Sequence, residues 1–334
     1  MEPLVAMVLG LLLLLLAPCR GDDGDHGDFI KREHSLMKPY QGVGSSPGAQ
    51  WDITGNTVVI GHAVRLTADQ QSKLGAMWNT VPCHVTDWEL HVHFKVHGQG
   101  KKNLHGDGFA VWYTKDKMQL GSVFGSRDPF HGLAIFVDTY RNDFDDHDRL
   151  FPFVTAMVNN GSLRYDHSKD GKTTEIGGCY ADLRNKDYDT YMAVRYSRQR
   201  LTVMLDVDNR DEWRECLDVA GVSLPTGYHF GASAVTGDLS DNHDVVSLKL
   251  YELSVERPAE DAEVDRSGVL PAVDLSLAQR ASADDSAGSA RAAPMSGWRL
   301  FLLLLCALLA VVVCAVVGLL IYQRRQEHSR KRFY

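Results

Sequence analysis

An all-β sandwich, carried on a stalk ahead of one membrane-spanning helix, is the architecture this sequence predicts, and three observations predict it. Across residues 39–256, apolar residues recur at alternate positions or in short β-branched runs separated by Gly, Asp and Asn. No amphipathic helical pattern of useful length interrupts that stretch. Near the C-terminus, residues 300–322 carry no charge.

Residues 1–21 read as a cleavable secretory signal, with an apolar core at 11–16 followed by small and polar residues. That core is too short to cross a bilayer, and the charged segment 22–28 follows at once. Residues 22–38 are therefore expected to be an N-terminal lumenal segment ahead of the domain.

The domain itself, residues 39–256, has the length of a single sandwich. Trp88, Leu90, Val92, Phe94 and Val96 alternate with Glu89, His91, His93 and Lys95, the period of two of a half-buried strand. Runs at 109–113, 132–137, 191–196 and 201–207 are apolar or β-branched and suit central strands. Val246, Leu248 and Leu250 begin a last alternating strand whose phase slips at Tyr251, as a bulge would make it.

Residues 257–298 turn to Ala, Ser, Asp, Glu and Pro, a composition that buries too little apolar area to fold alone and reads as a flexible stalk. Residues 299–322 follow as the membrane span. At about 1.5 Å per helical residue, its uncharged run exceeds the roughly 30 Å hydrocarbon core. The tail, 323–334, holds Arg324, Arg325, Arg330, Lys331 and Arg332 against Glu327, and such a basic flank places it in the cytosol. The body of the protein is then lumenal.

The formal charge of the chain is −8, and the tail's net +4 leaves about −12 for the rest. An acidic body excludes nucleic acid as a partner. Of six cysteines, Cys19 belongs to the signal, and Cys306 and Cys314 to the span. An oxidising lumen favours pairing of Cys179 with Cys216, while the sequence leaves a pairing through Cys83 open.

The run Asp138-Thr-Tyr-Arg-Asn142 lies where an apolar strand gives way to a loop. A carboxylate, an amide oxygen four residues on and a backbone carbonyl between them are the hard oxygen donors that calcium prefers. A second loop offers Asp166, Ser168, Asp170 and Gly171 in the order of an EF-hand, but the closing position is Gly177 and no helices flank it. A calcium site assembled from two loops on a β scaffold fits better, although an acidic loop by itself is more often a solvated turn. Asp107 stands between Gly106 and Gly108, where the backbone allows a carboxylate to approach vicinal hydroxyls of a sugar. The loop Gly237-Asp-Leu-Ser240 is of the same kind.

These stretches together resemble the L-type, or legume-like, lectins of the secretory pathway. Lys31-Arg-Glu-His-Ser-Leu36, Pro39-Tyr-Gln-Gly-Val-Gly44, Gly100-Lys-Lys-Asn-Leu-His-Gly-Asp-Gly108, Met157-Val-Asn-Asn-Gly-Ser162 and Gly237-Asp-Leu-Ser-Asp-Asn-His-Asp244 are similar to the vesicular integral-membrane branch of that family. The resemblance implies a concanavalin-like β-sandwich of jelly-roll type that binds high-mannose N-glycans through α-1,2-linked mannose, with Ca2+ as cofactor. It puts the calcium ligands on Asp138, the carbonyl of Tyr140, Asn142 and Asp170. Sugar contacts fall on Ser72, Asp107, Tyr140, Asn142, His167, Gly237, Asp238 and Leu239, with Arg141 inside the same motif. The family disulfide falls on Cys179 and Cys216. Arg141 departs from the family pattern, which has proline there, and the loop 143–148 after it is longer and more acidic.

His167 would titrate near neutral pH and make binding weaken on acidification. The tail ends in Arg330, Lys331, Arg332, Phe333 and Tyr334: the aromatic pair resembles an export signal for vesicle coat machinery, the basic trio a retention signal. Both imply an early secretory membrane protein, in endoplasmic reticulum, intermediate compartment and Golgi, with glycoprotein cargo. Asn160 opens a glycosylation sequon. His91, His93 and His97 alternate along one strand with nothing to complete a zinc set. Two other classes remain to be weighed: a glycosidase on the same sandwich, which needs paired carboxylates where Glu89 stands alone, and an adhesion ectodomain, which needs no calcium loops.

Overall fold

The computed structural model describes residues 29–44, 48–101, 104–255, 265–274 and 276. The predicted signal, the span 299–322 and the sorting tail lie outside them. Among the described residues no helix is long and apolar enough to cross a membrane.

Two seven-stranded antiparallel sheets make the domain. The first runs in the order β1 (Trp51–Gly55), β4 (Leu74–Asn79), β14 (His229–Val235), β6 (Gly108–Thr114), β7 (His131–Asp138), β8 (Phe153–Asn160), β9 (Gly177–Tyr180). The second runs β12 (Arg214–Ala220), β11 (Arg200–Asp206), β10 (Thr190–Ser197), β5 (Trp88–His97), β15 (Asn242–Glu252), β3 (Ala63–Thr67), β2 (Val58–Ile60). The all-β sandwich expected from the alternation is the fold observed.

Strand β5 shows how the pattern works. Trp88, Leu90, Val92, Phe94 and Val96 are buried, while His91, His93, Lys95 and His97 on the opposite face are half-buried. The inward residues meet Phe109, Val111, Ile135 and Val137 of the first sheet in one apolar core. Every residue of β6 is buried, and so is β7 from Gly132 to Asp138. The outward-facing Ala110, Trp112, Ala134 and Phe136 are roofed by Phe124, Phe130 and Tyr165 in a second apolar cluster. Burial on both faces explains why these two strands read as continuous apolar runs rather than as alternations.

Cys179 on β9 and Cys216 on β12 are joined by a disulfide, so the bond ties an edge strand of one sheet to an edge strand of the other. Cys83 is fully buried and reduced, its thiol pushed up to about 12 by burial, which closes the alternative pairing.

Three expectations are corrected. The bulge in β15 falls at Val246, not at Tyr251: Val245 faces Phe94 and Ser247 faces His93, so Val246 is the extra residue. The domain begins before residue 39, because Ile30 bridges Tyr251 and Leu36 bridges Leu248, with Leu36 buried. Part of the expected stalk is docked: β16 (Ala272–Val273) pairs with β13 (Val222–Ser223), and Val273 packs against the main core. A short apolar patch suffices there because the domain supplies the other half of the contact.

Candidate functional site

Strand β7 delivers Asp138 to the rim of the first sheet, 5% exposed. Its Oδ1 accepts from the Tyr140 amide at 3.0 Å, which folds the chain back over the strand end. Burial, and next the charge of Asp170, pushes the Asp138 carboxyl well above the ordinary carboxylate range.

Asp170 comes from the second loop. Asp166 caps a short 3-10 turn, accepting from the Ser168 amide at 3.0 Å, and the turn ends with Asp170 at φ +48°. A Cβ on the next residue, Gly171, would lie 2.3 Å from the Tyr165 ring, so only glycine fits. Asp170 Oδ1 accepts from the Asn142 amide at 2.8 Å and Oδ2 from the Asp143 amide at 2.9 Å. The two loops are thus locked together. Buried Arg149 supports the lock from behind, donating to the Asp170 carbonyl at 3.0 Å and pairing with Glu175. Neither Arg149 nor Glu175 stood out in the sequence, because one basic residue after an acidic loop carries no motif.

Two neighbouring carboxylates of raised pKa make a place for a cation. Among the described residues no three His, Cys, Asp or Glu side chains cluster to hold a metal, and the predicted set contains only two carboxylates. Its remaining donors are an amide and a carbonyl, the neutral oxygens that a hard ion accepts. The buried Tyr165 hydroxyl, without a protein partner, also feels Asp138 and Asp170 most strongly among charged groups. The residues fit calcium.

Beside this centre three more segments meet. The Ser72 amide donates to the Gly237 carbonyl at 3.0 Å, with Ser72 at φ +56°, and Gln71 Nε2 donates to the Asp238 carbonyl at 2.7 Å. A Cβ on Gly237 would stand 3.2 Å from Asp107 Oδ2, and one on Gly106 would stand 3.2 Å from Tyr140 Cβ and 3.8 Å from Leu239 Cβ. The Asp107 carbonyl accepts from the Thr139 amide at 3.0 Å, joining this group to the end of β7. Burial, with a further contribution from Asp238, pushes the Asp107 carboxyl up to about 6.

His167 packs edge-on against Tyr165, ring centroids 4.8 Å apart. Burial lowers its pKa, with nearby carboxylates opposing, so it titrates below its ordinary range rather than near neutrality as expected. Arg141 makes its contacts elsewhere: its guanidinium donates to the Arg149 carbonyl and lies 5.6 Å from the centre of the Phe151 ring. Asn160 is exposed at the end of β8, its Oδ1 accepting from Ser162 Oγ at 2.6 Å. His91, His93 and His97 each pair with a different carboxylate, Glu89, Asp189 and Asp244, so they form no shared metal set.

Residues 27–259 match the legume-like lectin family. The chain belongs to the legume-like lectins. It is 59% identical to the vesicular integral-membrane protein VIP36 of Mus musculus over 97% of this chain and 90% of that protein. The VIP36-like protein of Homo sapiens is 53% identical over 97% of this chain and 92% of its own length. Among solved structures, the exoplasmic/lumenal domain of VIP36 in its Ca2+/Man2-bound form superposes with a TM-score of 0.72 at 60% identity, covering 74% of this chain and 98% of that one. Membership of a lectin family sets the glycosidase alternative aside.

Proposed function

We propose that this legume-like lectin binds high-mannose N-glycans through α-1,2-linked mannose in a calcium-dependent way, and serves as a membrane-anchored cargo receptor or quality-control lectin between endoplasmic reticulum and Golgi. The observation that carries the reading is the double acceptance by Asp170 from the Asn142 and Asp143 amides, which brings the second loop against the end of β7 at Asp138. The VIP36 lumenal domain has been solved with Ca2+ together with Man, Man2 and Man3GlcNAc, which supports the same assignment here.

Asp138, the Tyr140 carbonyl, Asn142 and Asp170 would hold the calcium ion. The ion supplies positive charge that neutralises the two carboxylates and stiffens the loop. Asp107 accepts hydrogen bonds from vicinal hydroxyls; Ser72, Tyr140, Asn142, His167 and the 237–239 loop surround the same sugar. Because these segments are already cross-linked by backbone hydrogen bonds, little ordering cost remains at binding. No bond is made or broken.

The span 299–322 anchors the chain with its N-terminus lumenal, and Arg330, Lys331, Arg332, Phe333 and Tyr334 address coat machinery from the cytosol. Asn160 carries a glycan of its own. A glycan array of the purified full-length protein tests the central reading: retention of α-1,2-linked oligomannosides with calcium and release by a chelator are expected. Binding indifferent to chelation would overturn it.

A further inference from the structure

The 237–239 loop is gripped at both ends by side chains outside the expected sugar contacts. At its start, Thr236 Oγ1 donates to the Gln70 carbonyl at 2.6 Å and accepts from the Lys73 amide at 2.9 Å. At its end, Ser240 Oγ donates to Asp69 Oδ1 at 2.6 Å, while Asp69 Oδ2 accepts from the Gln99 amide at 2.8 Å. The next residue, Asp241, is fully buried and takes the fork of Arg184, Nη2 to Oδ1 at 2.7 Å and Nε to Oδ2 at 2.9 Å. Arg184 is itself fixed against the end of β5, where it bridges Val96. The chain leaving β5 passes between the two carboxylates at Gly98, where an added Cβ would lie 2.3 Å from Asp241 Oδ1 and 3.0 Å from Asp69 Oδ2. The Asp69 amide donates to Asn242 Oδ1 at 3.0 Å and closes the cluster.

On the lectin reading, we propose that Asp69, Arg184 and Asp241 are positioning residues of the saccharide site, a buried charged cluster that sets the 237–239 loop and Ser72 without the metal ion. Ser72 follows Asp69 closely and donates its amide to the Gly237 carbonyl. Asp107 donates its amide to the Val235 carbonyl at 3.2 Å, one residue ahead of Thr236. Three sugar-contact segments therefore hang on the same few hydrogen bonds. A buried carboxylate–guanidinium pair yields little net stability, because desolvation offsets the attraction. What its two parallel hydrogen bonds do yield is a fixed orientation. A loop held in that way has less freedom to lose when a saccharide binds.

Calorimetric titration of the full-length protein with mannobiose and, separately, with calcium tests the assignment, together with hydrogen exchange at the Ser72 and Thr236 amides. Arg184→Ala would leave Asp241 buried without its partner and destabilise the fold. Arg184→Lys, which keeps the charge and loses the fork, is used instead, beside Ser240→Ala. In both, mannobiose affinity is expected to fall about three- to tenfold, the scale of one net hydrogen bond. Exchange at the two amides quickens, and calcium affinity stays as in the wild type. Ser240→Thr restores the hydroxyl and with it the affinity. Mannobiose and calcium affinity falling together would place the effect on the metal loops and overturn the proposal. Mannobiose affinity or amide exchange unchanged in both variants would overturn it as well. A wild type that binds no mannobiose is a failure of the lectin reading instead, and exchange at the two amides then still decides whether the cluster orders the loop.

Discussion

Asp170 spends both carboxylate oxygens on the backbone of a single neighbouring loop, Oδ1 on the Asn142 amide at 2.8 Å and Oδ2 on the Asp143 amide at 2.9 Å. One side chain therefore positions the segment that holds Asn142 while standing beside the buried Asp138. Asp170→Asn removes the charge and one acceptor, and calcium affinity is expected to fall at least tenfold, roughly the scale of losses around metal ligands. Calcium titration by calorimetry measures it. An unchanged affinity would show that Asp170 is only a loop tie.

Acid should weaken sugar binding through Asp107, whose carboxyl sits at about 6 because it is buried and faces Asp238. The sugar-accepting form is the carboxylate, so mannobiose affinity falls as pH drops through about 6. Stability runs the other way. A carboxyl whose pKa is higher folded than unfolded gives the folded state more bound protons, so its unfavourable share grows as pH rises from the ordinary carboxylate value to about 6. Melting temperatures of the metal-free protein, read beside titrations between about pH 5 and about pH 7, should show opposite slopes. Parallel slopes would contradict the assignment.

The Cys179–Cys216 bond, 37 residues apart in sequence, joins the edges of both sheets. Replacing both cysteines by Ala should cost about 2–4 kcal/mol of stability. Denaturant unfolding of the variant checks this, and a midpoint equal to wild type would mean that packing alone holds those edges.

Residues 265–274 should resist exchange. Val273 sits opposite Val222 in a two-stranded ladder and packs on the core, so Val273→Asp is expected to destabilise the domain by about 1 kcal/mol. Hydrogen exchange at Ala272–Val273 in the full-length protein reads the docking directly. Exchange at the rate of an unfolded peptide would return this stretch to the stalk.

Strand β5 was legible because its large apolar residues alternate, and β7, β10 and β11 because theirs form short apolar or β-branched runs. Strand β14 was not. Gly231, Ala232, Ser233 and Ala234 look like a loop, yet β14 is central in the first sheet, and a Cβ at Gly231 would lie 2.2 Å from the Trp78 ring. Small residues are needed there because a large neighbour fills the space, and that neighbour is far away in sequence. The loop residues Asp107, Asp138 and Asp170 were visible as carboxylates beside glycines or strand ends. Their raised pKa values were not, since these depend first on burial and then on the charge of carboxylates that the fold brings near.

By itself the sequence determined the all-β class and the alternation that faces β5 inward. It also determined the membership motifs and the oxygen donors available to an ion, because residue type and short-range spacing carry that information. Only the tertiary structure decided which loops touch, that Cys83 stays unpaired and that 265–274 returns to the domain. It also decided that the Arg141 guanidinium lies against the Phe151 ring and the Arg149 carbonyl. Those outcomes depend on contacts between segments distant along the chain, where burial and close packing, rather than local pattern, set the energy.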